Sequence, residues 1–289
     1  MFPNEIELLK LLESLRTEFL NDVFESITIL GEETLMILAL AVLYFAINKK
    51  IAQKVFYVVV TSMNVNGMIK TIAKVPRPFA NGEITCVRES TATGYSFPSG
   101  HTQTFSTSIM AIAYLLKKSW FYILSLILII LVAFSRMYLG AHYLSDVLVG
   151  GLLGISLAIG LSHLHDKVQN KRILYMITLL ILTPFAFYFA ASGDMMSKGF
   201  FKTYGMLAGL LVSDVIEEHY PLQYDVSIIK KMIRVLLAIV LAFAVKEGIK
   251  VLNVFDTNTM KLIFNAIRYF FVVIVPFGIF PIIIKKIKL

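Results

Sequence analysis

The sequence predicts an all-α fold: a polytopic membrane helical bundle of seven to nine spans, led by an N-terminal interfacial amphipathic helix. Three observations carry this. Hydrophobic residues make up 57% of the 289 positions, and mean hydropathy is +0.77. Apolar runs recur at lengths near the ~20 residues that cross a bilayer core. Charged residues, 16% of the chain, gather between those runs.

The amphipathic helix comes first. Ile6, Leu9, Leu12, Phe19, Val23 and Ile27 recur mostly every three or four residues among acids, a helical period. Such a helix is expected to lie along the membrane surface. Eight carboxylates fall at or before Glu33, without the basic stretch and compact apolar core of a cleavable signal. The first true span is therefore expected to target the chain.

Nine candidate spans follow, at 34–47, 51–68, 102–116, 120–134, 144–161, 173–191, 200–216, 232–251 and 263–284. Two are weak. Asp214, Glu217 and Glu218 crowd the end of 200–216, and Lys246, Glu247 and Lys250 crowd the end of 232–251. Without them the count is seven, and neither terminus changes side. The pattern predicts a membrane region over 1–170 and additional C-terminal membrane helices of unknown role over 171–289.

The net charge is +8. No clustered basic face or nucleic-acid motif accompanies it, so no nucleic-acid partner is expected. Lysine pairs at span ends account for the charge and for orientation. Lys49-Lys50, Lys117-Lys118, Lys171-Arg172, Lys230-Lys231 and Lys285-Lys286 form tight clusters that one topology puts on a single side. The positive-inside bias makes that side cytoplasmic. Residues 70–101, 135–146 and 250–261 then share the outer side. Cys86 is the only cysteine; it forms no internal disulfide and fits no zinc spacing.

Three polar fragments sit at the borders of apolar runs. "PSGH", Pro98 to His101, opens a span. Pro98 stops any preceding helix, Ser99 is a good N-cap, and the free N–H groups of a helix start bind anions. Gly100 lets the backbone approach a ligand closely, and His101 stands on the first turn. Alone, this fragment is equally consistent with a capped helix carrying an incidental histidine. "SRMYLGAHYLSD", Ser135 to Asp146, sets His142 and Asp146 four apart, on one helix face. A carboxylate there can orient an imidazole as a nucleophile. Gly140 is expected to break the chain so that Arg136 folds back toward His142. "KTIAKVPRP", Lys70 to Pro78, adds Lys70 and the planar fork of Arg77. Lys70, Arg77 and Arg136 together offset a phosphoryl group of about two negative charges.

In order and internal spacing, Lys70-x6-Arg77-Pro78, Pro98-Ser99-Gly100-His101 and Ser135-Arg136-x5-His142-x3-Asp146 resemble the three signature motifs of the phosphatidic-acid phosphatase type 2 superfamily. The resemblance covers residues 70–146 and is silent beyond about Lys171. It implies a metal-independent membrane lipid phosphatase without a cofactor. His142 would attack phosphorus and form a phosphohistidine. Asp146 would orient His142. His101 would protonate the leaving oxygen and then activate water. Lys70, Arg77, Ser99, Gly100 and Arg136 would hold the phosphoryl oxygens.

The expected substrate is a lipid phosphate: phosphatidate, phosphatidylglycerophosphate, undecaprenyl diphosphate or a sphingoid phosphate. The expected place is the plasma membrane, with the active site on the extracytoplasmic side. A phosphotransferase using the same intermediate is the main alternative, because the motifs describe only the first half-reaction. A transporter would line several mid-membrane spans with polar groups, and the cations here cluster in loops and span ends instead. The soluble haloperoxidases that share this family's core lack such spans. Oligomeric state is not encoded in these features. His163, His165 and His219 read as edge residues; Lys246, Glu247 and Lys250 either snorkel or meet a lipid headgroup.

Overall fold

Helix formers and apolar residues dominate every long run, and short polar caps, glycines and prolines punctuate them. In the computed structural model, which describes residues 4–287 and Leu289, these become twelve α-helices. They are α1 Glu5–Ser14, α2 Glu18–Thr28, α3 Glu33–Val42, α4 Lys49–Ala73, α5 Gly100–Leu116, α6 Ser119–Tyr138, α7 Leu144–Lys167, α8 Lys171–Ser192, α9 Lys198–His219, α10 Ile228–Val251, α11 Asn258–Ile274 and α12 Phe280–Ile287. No strand occurs among the described residues. A wider π-type turn extends α3 over Leu43–Ile47, and another joins α11 to α12 over Val275–Ile279. Pro276 lies in the second and has no N–H for the α-helical ladder.

Six helical segments among the described residues are long and apolar enough to cross a membrane. They are Lys49–Asn81, Ser119–Tyr138, Leu144–Lys167, Lys171–Ser192, Met195–His219 and Asn258–Ile287. The pair Glu18–Gly31 and Glu33–Ile47, bent by 52°, makes a seventh if it counts as one broken span. The protein is thus an all-helical, multi-pass membrane protein. Of the two weak spans, 200–216 meets the test inside a longer helix. The lysine- and glutamate-bearing α10 does not, nor does α5 with its 17 residues.

The single amphipathic helix expected over 5–27 is two helices. Thr17 ends the continuity: its Oγ1 accepts from Leu20 N and caps α2, worth about 1 kcal/mol. Arg16 turns inward at the break, where its Nε donates to Tyr138 O at 2.9 Å and its Nη1 to Thr85 O at 3.0 Å.

The chain forms two compact units. The first takes the residues up to Met36 together with Val65–His163. In it, Leu9 and Leu12 of α1 pack with Ile84, Met137, Tyr143 and Val147. Phe24 of α2 packs at a tilt against Phe134 and Tyr138, with centroids 5.3 and 4.3 Å away. Helices α5 and α7 meet through Gly150 and Gly154. A Cβ at Gly150 would lie 2.7 Å from Ser99 O, and one at Gly154 would lie 2.7 Å from Gln103 O. Small residues four apart allow this backbone approach where a side chain would hold the helices off.

The second unit takes Ile37–Asn64 together with Leu164–Leu289. Gly205 and Gly209 play the same part between α9 and α11: a Cβ at Gly205 would strike Ala266 O at 2.0 Å. Tyr44, Phe45, Ala238, Phe280 and Ile284 form its core cluster. Charges near helix ends are paired: Arg172 meets Asp214 at 3.0 Å and Glu218 at 2.6 Å, and Lys49 pairs with Glu217.

Candidate active site

All eight residues singled out in the three motifs lie in the first unit. The third motif sets the centre. Gly140, with φ of 75°, turns the chain between α6 and α7, a conformation that favours glycine. A Cβ there would also strike Thr85 O at 2.2 Å. The chain then re-enters with His142 buried just before α7 and Asp146 on its first turn.

His142 Nδ1 faces Asp146 Oδ2 at 3.2 Å. The same Oδ2 accepts from Tyr143 N at 2.9 Å and from Ser96 Oγ at 2.5 Å. With Nδ1–H donating to the carboxylate, Nε2 keeps its lone pair, and Arg77 Nη1 meets that nitrogen at 3.2 Å. Burial and then the Arg77, Lys70 and Arg136 cations hold the His142 imidazole well below the usual histidine range. Both effects favour the neutral imidazole, and in this tautomer its lone pair faces a guanidinium.

Arg77 follows α4 and is fixed by backbone carbonyls. Nε donates to Gly94 O at 2.9 Å, Nη2 to Thr93 O at 2.7 Å and Nη1 to Ala141 O at 2.9 Å. Lys70, on the last turn of α4, donates to Tyr95 O at 2.5 Å and Ser96 O at 2.9 Å. An ammonium has three donors, so one remains. Arg136, on the last turn of α6, is fully buried. Its Nη1 donates to Thr28 Oγ1 at 2.8 Å, and its Nε and Nη2 have no hydrogen-bond partner among the described residues.

The second motif opens α5. Ser99 occupies the N-cap position, but its side chain does not cap. Its Oγ accepts from Thr102 Oγ1 at 3.0 Å instead, and its N–H donates to Asp146 O at 2.9 Å. The last bond ties this helix start to the carboxylate residue of α7. The N–H groups of the first turn have no acceptor within the helix. Packing alone does not demand a glycine at Gly100: a Cβ there would meet Asn66 Oδ1 at 3.5 Å and Lys70 Cε at 3.9 Å, ordinary contacts. His101 is partly exposed as a residue, yet its Nε2 is buried and has no hydrogen-bond partner among the described residues.

Sequence reasoning missed four contributors. Ser96 bonds Asp146 and sits 3.3 Å from His142 Nδ1. Thr28 holds Arg136. Glu5, buried on α1, accepts from Ser145 N at 2.5 Å and caps the helix that carries Asp146. Asn66 donates to Pro98 O at 3.2 Å and Gln103 Oε1 at 2.8 Å, fixing α4 to the second motif. Only Asn66 carried a signal, as an amide inside an apolar run, where polar groups are expensive unless used.

The other tempting residues lie elsewhere. His165 is buried against Tyr175 OH at 3.2 Å, His163 is exposed, and His219 Nδ1 faces Val215 O at 3.0 Å. Glu247 pairs with Lys250 at 3.6 Å and Arg268 at 3.7 Å. Among the described residues no group of three or more His, Cys, Asp or Glu is placed to hold a metal.

Residues 51–170 match the PAP2 superfamily, and residues 201–289 match the PAP2 superfamily phosphatase transmembrane extension. The chain is 32% identical over 150 residues to an undecaprenyl-diphosphatase from Sulfolobus acidocaldarius, covering 52% of this chain and 72% of that protein. It belongs to the PAP2 superfamily. Phosphatidylglycerophosphatase B of Bacillus subtilis is a further PAP2 relative, 30% identical over 172 residues, 55% of this chain and 81% of that protein. A crystal structure of a transmembrane PAP2-type phosphatidylglycerolphosphate phosphatase from Bacillus subtilis matches with a TM-score of 0.48 and 26% identity, covering 57% of this chain and 86% of that one. The PAP2 match contains all three motifs, whereas α1, α2, Thr28 and Gly31 precede it.

Proposed function

We propose that this PAP2 protein hydrolyses a phosphomonoester or diphosphate of a membrane lipid through a phosphohistidine on His142. The single observation that carries the reading is the buried His142, with Nδ1 on Asp146 and Nε2 beside Arg77. Nε2 attacks phosphorus as the bond to the lipid oxygen breaks. Asp146 balances the charge that grows on the ring. His101 gives its proton to the leaving oxygen, then takes one from the water that cleaves the phosphorus–nitrogen bond. Lys70, Arg77, Arg136, Ser99 and the Gly100 backbone hold the phosphoryl oxygens, an electrostatic role typical of phosphoryl transfer.

The names of the relatives favour undecaprenyl diphosphate and phosphatidylglycerophosphate as substrates, with phosphatidate next. The lysine clusters at Lys49-Lys50, Lys117-Lys118 and Lys171-Arg172 favour a cytoplasmic side opposite the motifs. The reading is therefore a plasma-membrane enzyme that works on the extracytoplasmic leaflet. The test is purified protein in detergent given each lipid phosphate, with free phosphate measured with and without alcohol acceptors. Release of phosphate, an acid-labile phosphoenzyme and loss of both in His142→Ala support the proposal. Normal turnover by His142→Ala overturns the mechanism, and phosphate appearing only on the acceptor makes the protein a transferase.

A further inference from the structure

We infer that Thr28 is a positioning residue for phosphate recognition: it grips one edge of the Arg136 guanidinium and so presents the other edge to the phosphoryl group. The inference rests on the reading of Arg136 as a phosphate ligand. Three observations lead to it.

First, Arg136 is fully buried, and among the described residues only Nη1 of its three side-chain nitrogens finds a hydrogen-bond partner, Thr28 Oγ1 at 2.8 Å. Nε and Nη2 form the guanidinium edge that grips two oxygens side by side. A buried donor without a partner costs roughly 1–3 kcal/mol, so leaving that edge bare needs a reason. A phosphoryl group supplies two acceptors in the matching geometry.

Second, Thr28 is itself buried, at the C-terminal end of α2. Its backbone position is held from two directions. Phe24, one turn earlier, packs on Phe134 and Tyr138 of the helix that carries Arg136. Glu25 and Glu32, on either side, meet Arg88 at 3.7 and 3.0 Å. The hydroxyl is therefore a fixed acceptor rather than one of many rotating into reach.

Third, three residues on, Gly31 lies flush against the start of α5. A Cβ at Gly31 would stand 2.9 Å from His101 Cβ and 2.8 Å from His101 O. One short stretch, Thr28 to Gly31, thus touches two of the candidate site groups.

The experiment uses full-length protein in detergent with phosphatidate in mixed micelles, and vanadate as the competitive probe. Thr28→Val replaces the hydroxyl by a methyl of similar size. It is expected to lower kcat/KM by about 10- to 100-fold, the worth of a hydrogen bond to a charged group, and to weaken vanadate inhibition by a similar factor. Thr28→Ser, which keeps the acceptor, is expected to stay within about 3-fold of the parent on the same reasoning. The deciding comparison is Thr28→Val in an Arg136→Ala background, where the two losses do not add. If Thr28→Val behaves like the parent while Arg136→Ala is crippled, the inference fails and the site reading stands. If Thr28→Val costs as much without Arg136 as with it, Thr28 is merely structural. If Arg136→Ala is fully active, the reading of Arg136 itself fails. Should Thr28→Val not fold, Thr28→Ala takes its place in each comparison.

Discussion

Replacing Asp146 by Asn separates charge from geometry. Three donors converge on one oxygen: Ser96 Oγ, Tyr143 N and His142 Nδ1 lie 2.5, 2.9 and 3.2 Å from Oδ2. Oδ1 has no hydrogen-bond partner among the described residues. An asparagine can place its oxygen where Oδ2 stands and its amide nitrogen where Oδ1 stands. The His142 tautomer and ring angle then survive, and only the negative charge is lost. In the serine-protease triad the equivalent change costs about 10⁴ because the tautomer becomes wrong. Here the loss is electrostatic. Unit charges about 4 Å apart attract by about 4 kcal/mol at an effective dielectric constant of about 20. Only part of that charge develops on the ring, so a barrier increase of about 2–4 kcal/mol is expected, roughly 30- to 1,000-fold in rate. Asp146→Ala strands all three donors and should cost more, in activity and in thermal stability. The assay is single-turnover phosphate release for both variants. Equal losses in Asn and Ala would refute the retained geometry. A parental rate in Asn would refute the role of the charge.

Three further outcomes are expected. Gly150→Ala puts a Cβ 2.7 Å from Ser99 O; prising α5 from α7 should lower Tm and cut kcat/KM by more than about 10-fold, in line with strained overpacking, whereas an unchanged enzyme would show that α5 is free to shift. Because burial and cations depress the His142 pKa, its imidazole stays neutral below the ordinary pKa of about 6.5, and Lys70→Met, by removing a cation, should move the acid limb of kcat/KM toward higher pH. The substrate's own titration is common to both enzymes, so an unshifted limb would detach that limb from His142. Finally, an impermeant maleimide should label intact cells at Cys86, slowly because burial pushes that thiol pKa up, and rapidly at a cysteine placed at the exposed Asn81 or Ser90; labelling of all three only after permeabilisation would reverse the proposed topology.

What could be read from the sequence was what is local along the chain. The His142–Asp146 pair follows from four-residue spacing, and the turn at Gly140 from a glycine between two apolar runs. The helix start at Gly100 follows from Pro98 and Ser99, although the Ser99 hydroxyl bonds Thr102 rather than capping the helix. Thr28, by contrast, lies 108 positions from Arg136, and Glu5 lies 140 from Ser145. Nothing in composition or period brings such pairs together. The break at Thr17 was legible in principle, since a threonine before Glu18 is an N-cap followed by an acid in the first turn. The apolar period runs through both sides of it, and the period dominated the reading.

The distribution of charge around His142 has a logic that the motifs alone do not express. Among the described residues, Arg77 meets His142 at 3.2 Å, Lys70 and Arg136 add positive charge in the same unit, and Asp146 is the carboxylate bonded to His142. Two positive charges are thus in excess, matching a phosphoryl dianion. Holding buried cations without neutralising them is expensive unless each finds hydrogen bonds. For Arg77 and Lys70 the chain between α4 and α5 supplies these as carbonyls: Thr93, Gly94, Tyr95 and Ser96 all accept from one or the other. Carbonyl dipoles solvate a cation while leaving its full charge available to an anion. Carboxylates would cancel it, and the nearby Glu25 and Glu32 are instead paired with Arg88. Burial and the same excess charge hold the His142 pKa down, so on the proposed reading one arrangement would both attract the phosphate and preserve the lone pair on Nε2.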